Sequence, residues 1–366
     1  MSEEDKSTVQ DSALNVMSGI KSSHDGMKKA PRRRFVKRKK TISIDDLYDK
    51  IISGSRRDLA RAITLIESVK SEDQKNAQLL LNRLMPRTGN SIRIGVSGVP
   101  GAGKSTFIEA FGYMLCELGY KVAVLAIDPS SHVTGGSVLG DKTRMEQLSN
   151  HPNAYIRPSP SSGTLGGVHR KTRETMLLCE AAGFDIILIE TVGVGQSETA
   201  VRNMVDFFIL LALTGAGDDL QGMKKGIMET VDLIVVHKAD GENKRLAKRT
   251  VREYKQILHF LRPATPGWQS TAVPVSSYEK TGHDEVWEQI TSFKEKVTES
   301  GYWEQRRQEQ TKNWFHDMIH DRLIETFFQQ PGRKEQVSQL EHDILAGKLT
   351  VSLAVNQLFE DENNSN

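Results

Sequence analysis

The stretch Ile92-Arg-Ile-Gly-Val-Ser-Gly-Val-Pro-Gly-Ala-Gly-Lys-Ser105 decides the fold of this chain. Residues 92–97 form a short apolar run typical of a buried strand, and residues 98–105 follow the pattern Gly-x-x-x-x-Gly-Lys-Ser. Glycines in such a loop let main-chain N–H groups turn toward phosphate oxygens, and the N-terminus of the following helix adds positive potential. We therefore predict a phosphate-binding loop. Its candidate nucleotide-binding residues are Gly98, Val99, Pro100, Gly101, Ala102, Gly103, Lys104, Ser105 and Thr106.

Further apolar runs alternate with helical stretches as far as about residue 293. They are continuously apolar, as expected for parallel strands that helices cover on both faces. We predict an α/β fold of the P-loop NTPase type, with a mostly parallel, doubly wound sheet flanked by N-terminal and C-terminal helical segments. Its ligand should bind beyond the C-terminal strand ends. The further strand candidates are Val122–Ile127, 186–189, 207–213, Leu233–Val236 and 272–276.

Composition excludes several classes of protein. The 366 residues include 49 Lys+Arg and 47 Asp+Glu, and this net charge of +2 leads us to expect no nucleic-acid partner for the whole chain. Two cysteines cannot form a disulfide framework, so we predict a reducing, cytoplasmic location. The longest apolar run is 207–213, whereas a membrane-spanning helix needs about 20 residues. We therefore expect no membrane span, and the polar N-terminus is unlike a secretory signal.

Four segments are predicted along the chain. Residues 1–40 form a disordered basic tail, because nine of the thirteen residues in 28–40 are Lys or Arg. Such a block either binds nucleic acid or an acidic surface, or is a solvated tail. Residues 41–88 form an N-terminal helical segment, and residues 89–295 form the nucleotide-binding domain. Residues 296–366 form a C-terminal helical segment whose apolar stripe must be buried on the core or on another subunit.

Phosphate chemistry in such a loop requires a magnesium ion and a nearby carboxylate. Lys104 would bind the β- and γ-phosphates and is a candidate catalytic residue, and the Ser105 hydroxyl would be a magnesium ligand. Glu190 follows the apolar run 186–189 and is a candidate catalytic and metal-binding residue. Gly193 lies three residues later, where its N–H group could detect a γ-phosphate.

Two aspartates are further candidates for the metal site. Asp128 follows the second strand, and we predict that it is catalytic and orients water or the metal. It could instead be a turn residue, since it precedes Pro129. Asp141 is a third candidate metal ligand, in a region where a mobile loop is expected, or else a helix cap.

A glycine-rich segment after the run 207–213 is a candidate switch. It contains two acids, Asp218 and Asp219, and two bases, Lys224 and Lys225. Loops of this composition suit a nucleotide-dependent exchange of ion-pair partners, although a solvated turn has a similar composition. Gln196 could position a water molecule.

The strand Leu233–Val236 is followed by His237-Lys-Ala-Asp240, which resembles the guanine-binding pattern Asn-Lys-x-Asp. The Asp240 carboxylate would accept hydrogen bonds from guanine, and the Lys238 stem would lie along the base. Adenine would leave that buried acid unpaired, so the pattern favours GTP over ATP. His237 replaces the usual Asn. The candidate residues that would support the base after the last strand are Ser276, Ser277 and Tyr278.

These motifs, in this order, resemble the MeaB/ArgK family of P-loop GTPases, which includes the methylmalonic aciduria type A protein. The most specific stretches are Asp-Pro-Ser-Ser-x-x-Thr-Gly-Gly-Ser from 128 and Glu-Thr-Val-Gly-Val-Gly-Gln-Ser-Glu from 190. The resemblance covers about residues 45–330. The segments that match are 98–105, 128–131, 134–144, 158–167, 190–198, 215–226 and 238–241.

The resemblance implies a GTPase that binds GTP, GDP and Mg²⁺ and acts as a chaperone of an adenosylcobalamin-dependent acyl-CoA mutase, above all methylmalonyl-CoA mutase. Such proteins gate cofactor loading, protect the mutase, and are typically homodimers joined through C-terminal helices. The family's mobile switch loop matches 215–226. His237 and the basic N-terminal tail depart from the family pattern.

Three other functions are compatible with a phosphate loop. A metal-inserting GTPase would need Cys/His motifs, but Cys116 and Cys179 are isolated and are predicted to be core residues. His132, His151 and His169 are scattered. A phosphotransferase linked to amino-acid transport would need a second substrate pocket. A non-catalytic binding module would not need Lys104, Ser105 and Glu190 together.

Overall fold

The structure, a computed structural model, describes residues 43–127, 145–159, 165–191, 196–214 and 225–363. These residues all belong to one compact unit. No helix in the described ranges is long and apolar enough to cross a membrane. The basic tail lies outside the described residues, and the boundaries of the four predicted segments stay predictions.

A sheet of seven strands lies at the centre, in the order β3-β2-β4-β1-β5-β6-β7, and every neighbouring pair is parallel. This confirms the predicted fold class. Because all strands run in one direction, their C-terminal ends meet at one edge of the sheet. The strands are β1 (Ile92–Gly98), β2 (Val122–Ile127), β3 (Ala154–Ser159), β4 (Ile186–Glu190), β5 (Phe207–Ala212), β6 (Leu233–Val236) and β7 (Thr271–Pro274).

Strand β3 was not among the strands predicted from the sequence. It pairs only with β2 and therefore lies at the border of the sheet. Its residues Arg157 and Pro158 interrupt the apolar run, and proline is tolerated in a strand mainly at a sheet border. The last strand also differs slightly, because β7 spans Thr271–Pro274 where the sequence predicted 272–276.

Helices cover both faces of the sheet, as the doubly wound prediction requires. The helices within the described residues are α1 (Ile44–Ile52), α2 (Arg56–Glu67), α3 (Ser71–Leu84), α4 (Lys104–Glu117), α5 (Glu146–Asn150), α6 (Leu165–Ala181), α7 (Gln196–Arg202), α8 (Lys225–Met228), α9 (Asn243–Phe260), α10 (His283–Glu299), α11 (Tyr302–Gln329), α12 (Arg333–Leu345) and α13 (Val351–Asn363).

Two apolar clusters, one on each face, hold the layers together. One joins α1–α3, α6, α7 and α9 to the sheet and includes the fully buried Leu59, Leu80 and Tyr254. The other joins α4, α5, α10 and the start of α11, and includes Phe107 and Phe293. Each such buried side chain contributes roughly 1.5–3 kcal/mol, so the edge of the sheet that carries the loops is held on a rigid base.

The long helix α11 changes environment along its length. Near its start, Trp303, Arg306 and Gln310 are buried against the rest of the chain. Farther along, Phe315 and Leu323 are both 63% exposed, and Ile324 is 59% exposed. The predicted apolar stripe is therefore present, and much of it lies on the surface of this chain.

Candidate functional site

The predicted phosphate loop lies between β1 and α4. Gly98, Gly101 and Gly103 have φ angles of 151°, 82° and 90°, a region that side chains with a Cβ rarely adopt. Two of these glycines are also tightly packed. A Cβ on Gly98 would lie 2.6 Å from the Leu211 carbonyl oxygen, and one on Gly103 would lie 2.7 Å from Nδ1 of His237. The loop therefore requires glycine at these positions.

Lys104, the first residue of α4, turns back across the loop. Its Nζ donates hydrogen bonds to the carbonyl oxygens of Gly98, at 2.7 Å, and Val99, at 3.3 Å. Burial lowers the pKa of Lys104, although the negative charges of Glu190 and Glu198 oppose that shift. A cation with a destabilised charged form is suited to bind an anion, because phosphate would restore the lost stabilisation.

Ser105 and Glu190 lie together at the same edge of the sheet. Glu190 is the last residue of β4 and is in register with Val96 on β1. The Ser105 hydroxyl donates a hydrogen bond of 2.9 Å to Oε1 of Glu190. A hydroxyl and a carboxylate are hard oxygen ligands of the kind Mg²⁺ uses beside water and phosphate oxygens. The two residues therefore fit the predicted magnesium site.

A second polar cluster adjoins the loop, and no pattern in the sequence predicts it as a site. The Thr191 hydroxyl donates to the Ser97 hydroxyl at 3.0 Å, and Ser97 Oγ donates to Oε1 of Glu198 at 3.4 Å. Glu198 is 6% exposed. The only signal in the sequence is that Glu198 ends the motif that begins at Glu190. The cluster links α7 to the ends of β1 and β4.

The predicted base-binding residues also meet at this edge. Lys238 has a φ of 58°, and its Nζ donates to the Gly101 carbonyl oxygen at 3.0 Å. The Ser276 hydroxyl donates to the Asp240 carboxylate at 2.8 Å, which fixes the orientation of that acid. Tyr278, by contrast, is 90% exposed. The structure thus brings Lys238, Asp240 and Ser276 next to the phosphate loop.

His237 occupies the place of the usual Asn and contacts two loops. Its Nδ1 lies 2.8 Å from the Ala102 carbonyl oxygen, and its Nε2 lies 2.8 Å from the Ser277 hydroxyl. The side chain is buried, and burial lowers its pKa. The histidine therefore forms hydrogen bonds with both the phosphate loop and the segment after β7.

Several predicted residues fall outside the described part of the chain, and their roles stay predictions. The side chains of Gln196 and Lys225, which begin α7 and α8, are not described either. The residues that lie wholly outside are Asp128, Asp141, Gly193, Asp218, Asp219 and Lys224.

The two cysteines are core residues, as predicted. Cys116 and Cys179 are buried thiols, and burial raises the pKa of Cys116 to about 11 and that of Cys179 further still. Both are therefore poor sources of the thiolate that a soft metal ion requires. Among the described residues, no three His, Cys, Asp or Glu side chains lie close enough together to hold a metal ion.

The fold and this site define a P-loop nucleotide-binding protein, with Lys104 and Ser105 at the start of a helix and Glu190 at the end of the neighbouring strand. The family model described as "Methylmalonyl Co-A mutase-associated GTPase MeaB" matches residues 59–332. The chain therefore belongs to this family of GTPases. The resemblance seen in the sequence and the predicted GTPase activity are both confirmed.

Individual relatives agree with this assignment. The chain is 51% identical over 275 residues to the GTPase ArgK of Escherichia coli, covering 75% of this chain and 83% of that protein. It is 45% identical over 327 residues to the mitochondrial methylmalonic aciduria type A homolog of Mus musculus, covering 87% and 79%. The crystal structure of a LAO/AO transport system kinase matches with a TM-score of 0.71 and 39% identity, over 87% of this chain and 97% of that one.

Proposed function

We propose that this GTPase is a chaperone of an adenosylcobalamin-dependent acyl-CoA mutase, with methylmalonyl-CoA mutase as its first candidate client. It would gate the loading of the cofactor and protect the mutase from inactivation. The observation that carries the proposal is the family match over residues 59–332, whose description names the mutase as the associated protein. The name of the mouse relative supports the same client.

In the proposed mechanism, GTP binds with its phosphates in the loop between β1 and α4. The Lys104 ammonium would move from the Gly98 and Val99 carbonyl oxygens to the β- and γ-phosphates, where it offsets developing negative charge. Ser105 and Glu190 would hold Mg²⁺, directly or through water. The bound ion would neutralise phosphate charge.

Guanine selectivity would come from Asp240. The hydrogen bond from Ser276 leaves this carboxylate oriented at the same edge as the phosphate loop. Lys238, fixed to the Gly101 carbonyl oxygen, would cover one side of the base. Adenine would offer the carboxylate no N–H donors in place of those of guanine, which gives GTP its preference. Asp128 is proposed to orient the attacking water.

We also propose that the protein is a homodimer joined through its C-terminal helices. The second half of α11 and the helix α13 present an apolar surface, which we call the C-terminal apolar face. Exposed apolar side chains in such a cluster are typical of a protein–protein interface. Sedimentation should give a dimer, and the pair Leu323→Glu with Ile324→Glu should give a monomer. The members of this face are Phe315, Ile319, Leu323, Ile324, Phe328, Val351, Leu353, Val355 and Phe359.

Nucleotide turnover with and without purified methylmalonyl-CoA mutase tests the client. We expect the mutase to accelerate GTP hydrolysis at least about tenfold, because slow P-loop GTPases are accelerated by partners that supply order or charge. Substituting Ala for both Lys224 and Lys225, in the proposed switch, should remove the acceleration and keep GTP affinity. The matched control substitutes the exposed Lys248 and Lys255 of α9.

The fate of the γ-phosphate separates the remaining functions. Release of all label from GTP as inorganic phosphate agrees with the chaperone proposal. Transfer of label to a protein or a small molecule would instead indicate a phosphotransferase, the activity named for the structural relative. An unchanged rate with the mutase would contradict the proposed client.

A further inference from the structure

A continuous chain of hydrogen bonds runs from the phosphate loop into the body of the domain. It begins at the Ala102 carbonyl oxygen, which lies 2.8 Å from Nδ1 of His237. The opposite ring nitrogen of His237 is 2.8 Å from the Ser277 hydroxyl. That hydroxyl is in turn 3.3 Å from Nε2 of His283, the first residue of α10. Three loops and a helix are thus joined through four residues.

The proton positions in this chain follow from its first contact. A carbonyl oxygen can only accept, so Nδ1 of His237 must carry a proton and donate it to Ala102. In the neutral imidazole Nε2 is then an acceptor and takes the Ser277 O–H. The Ser277 oxygen is left to accept the N–H of His283. With both rings neutral, each hydrogen bond in the chain therefore has one donor and one acceptor.

The surroundings keep both rings neutral and fixed. His237 and His283 are each 3% exposed. The His283 ring stacks on Phe107, with centroids 5.7 Å apart, and on Phe111, at 6.4 Å. Burial is the main cause that lowers the pKa of His283 to about 4, and the neighbouring His237 adds to it.

Few charged groups face the two rings. Lys238 opposes a positive charge on His237, whereas Asp240 favours one. Asp284 favours a positive charge on His283. The effect of burial on the pKa values of His237 and His283 outweighs that of the two carboxylates. Both rings therefore stay neutral near neutral pH, and the direction of the hydrogen bonds is kept.

We propose that His283 is a positioning residue that acts through Ser277 and His237 to hold the phosphate loop and the segment after β7 in their nucleotide-binding arrangement. The proposal rests on nucleotide binding at this loop and is independent of the mutase. In a protein with Asn in place of His237, the amide could reach the Ala102 carbonyl oxygen but is too short to continue to Ser277. The longer imidazole extends the support into α10.

The binding of a fluorescent GDP analogue to the whole protein tests the proposal. His283→Phe keeps a ring that can stack on Phe107 and Phe111 but removes the N–H donor. It should weaken GDP binding about 3- to 10-fold, as expected for the loss of one buried hydrogen bond. His283→Gln can place an amide N–H near the position of Nε2 and should restore affinity to within about twofold of the parent.

Kinetics and a double-mutant cycle separate positioning from general damage. The KM for GTP should rise with the GDP dissociation constant in His283→Phe, while kcat stays within about twofold, because Lys104 and Glu190 are untouched. In a Ser277→Ala background, His283→Phe should cause no further loss, since the chain is already broken. The matched controls are Thr291→Ala, whose hydroxyl bonds only to its own helix, and His259→Ala, an exposed histidine.

Lys104→Ala distinguishes the two ways in which the test can fail. If Lys104→Ala does not weaken nucleotide binding, the assignment of the phosphate loop is wrong. If Lys104→Ala weakens it but His283→Phe binds GDP as the parent does, the proposed role of His283 is overturned. Equal losses in His283→Phe and His283→Gln would also overturn it, because the hydrogen bond would then have no part in binding.

Discussion

Charged side chains have different kinds of partner at the two edges of the central sheet. At the edge where the strands begin, the Arg307 guanidinium lies 2.7 Å from the Asp206 carboxylate. The main-chain N–H of Arg93 donates to the same carboxylate at 2.8 Å. At the edge where the strands end, the Lys104 ammonium instead bonds to two carbonyl oxygens. At the first edge Arg307 and Asp206 pair with each other, whereas Lys104 at the second edge is a cation that an anionic ligand can stabilise.

The direction of the pKa shifts expresses this difference. Burial alone would raise the pKa of Asp206 and Glu180, but their arginine partners outweigh it, and both carboxyls have a lowered pKa. At the other edge, burial lowers the pKa of Lys104, His237 and His283. At the first edge the arginine partners therefore stabilise these two charged carboxylates and, with them, the fold. The second disfavours positive charge, and a bound phosphate would reverse that penalty.

The largest effect is expected where the paired edge is broken. Arg307→Met leaves the Asp206 side chain, which is 2% exposed, without its main partner. Such a change should lower the free energy of unfolding by about 3–5 kcal/mol, measured by urea denaturation. Arg249→Met removes an exposed pair with Glu253 and should cost less than about 1 kcal/mol. A small loss in Arg307→Met would mean that this edge does not support the fold.

For Lys104 we expect a loss of activity without a loss of stability. Lys104→Ala should reduce GTP turnover by about 10²- to 10³-fold, or roughly 3–4 kcal/mol, as when a single charge-stabilising group is removed from an active site. Its thermal stability should not fall, because the removed cation was disfavoured by burial. The control is Lys248→Ala, an exposed residue of α9. If Lys104→Ala hydrolysed GTP at the parent rate, the proposed contrast between the two edges of the sheet would be wrong.

A third prediction concerns the base side of the same edge. Asp240→Asn should reduce the preference for GTP over ATP by about 10²-fold, or ~2.7 kcal/mol, because the amide no longer penalises adenine as a half-buried carboxylate does. Competition of GTP, ATP and xanthosine triphosphate for a bound GDP analogue measures this preference. Retained selectivity would place guanine recognition elsewhere. Glu242→Gln, an exposed acid two residues later, is the control.

The sequence was sufficient to predict most of the fold because its strongest signals are local. Continuous apolar runs predicted six of the seven strands, and the glycine pattern predicted the phosphate loop. Strand β3 was missed because a border strand can contain Arg157 and Pro158, which break the apolar pattern. Its position depends on pairing with β2, and no local preference encodes that pairing.

The site was predicted where a motif encodes it and missed where it depends on packing. Lys104, Ser105 and Glu190 belong to recognisable patterns, and the Ser105 hydroxyl bonds to Glu190. Their roles in binding and catalysis stay predictions. His283 has no motif, because its role depends on how α10 packs against α4. Glu198 belongs to a motif, but nothing local indicates that its carboxylate bonds to Ser97.

The smallest expected effect concerns pH and the buried His283. Its pKa is about 4 in the folded protein, against 6.5 for the ordinary side chain. Between those values the unfolded chain binds more protons, so stability is present above pH 6.5 and is lost as the pH falls toward 4. From pH 7 to pH 5 this one residue should cost roughly 2 kcal/mol of unfolding free energy. Urea denaturation at both pH values measures the total loss, to which His237 also contributes because burial lowers its pKa too. His283→Phe should remove the share that comes from His283.

Carboxylates at the paired edge do not obscure this result. The lowered pKa values of Glu180 and Asp206 place their loss of stability below pH 5, outside the measured interval. The exposed His259 provides the control, because His259→Phe should keep the parent's dependence on pH. If His283→Phe loses as much stability between pH 7 and pH 5 as the parent, His283 is not a buried neutral histidine. The contrast between the two edges would then depend on Lys104 and His237 alone.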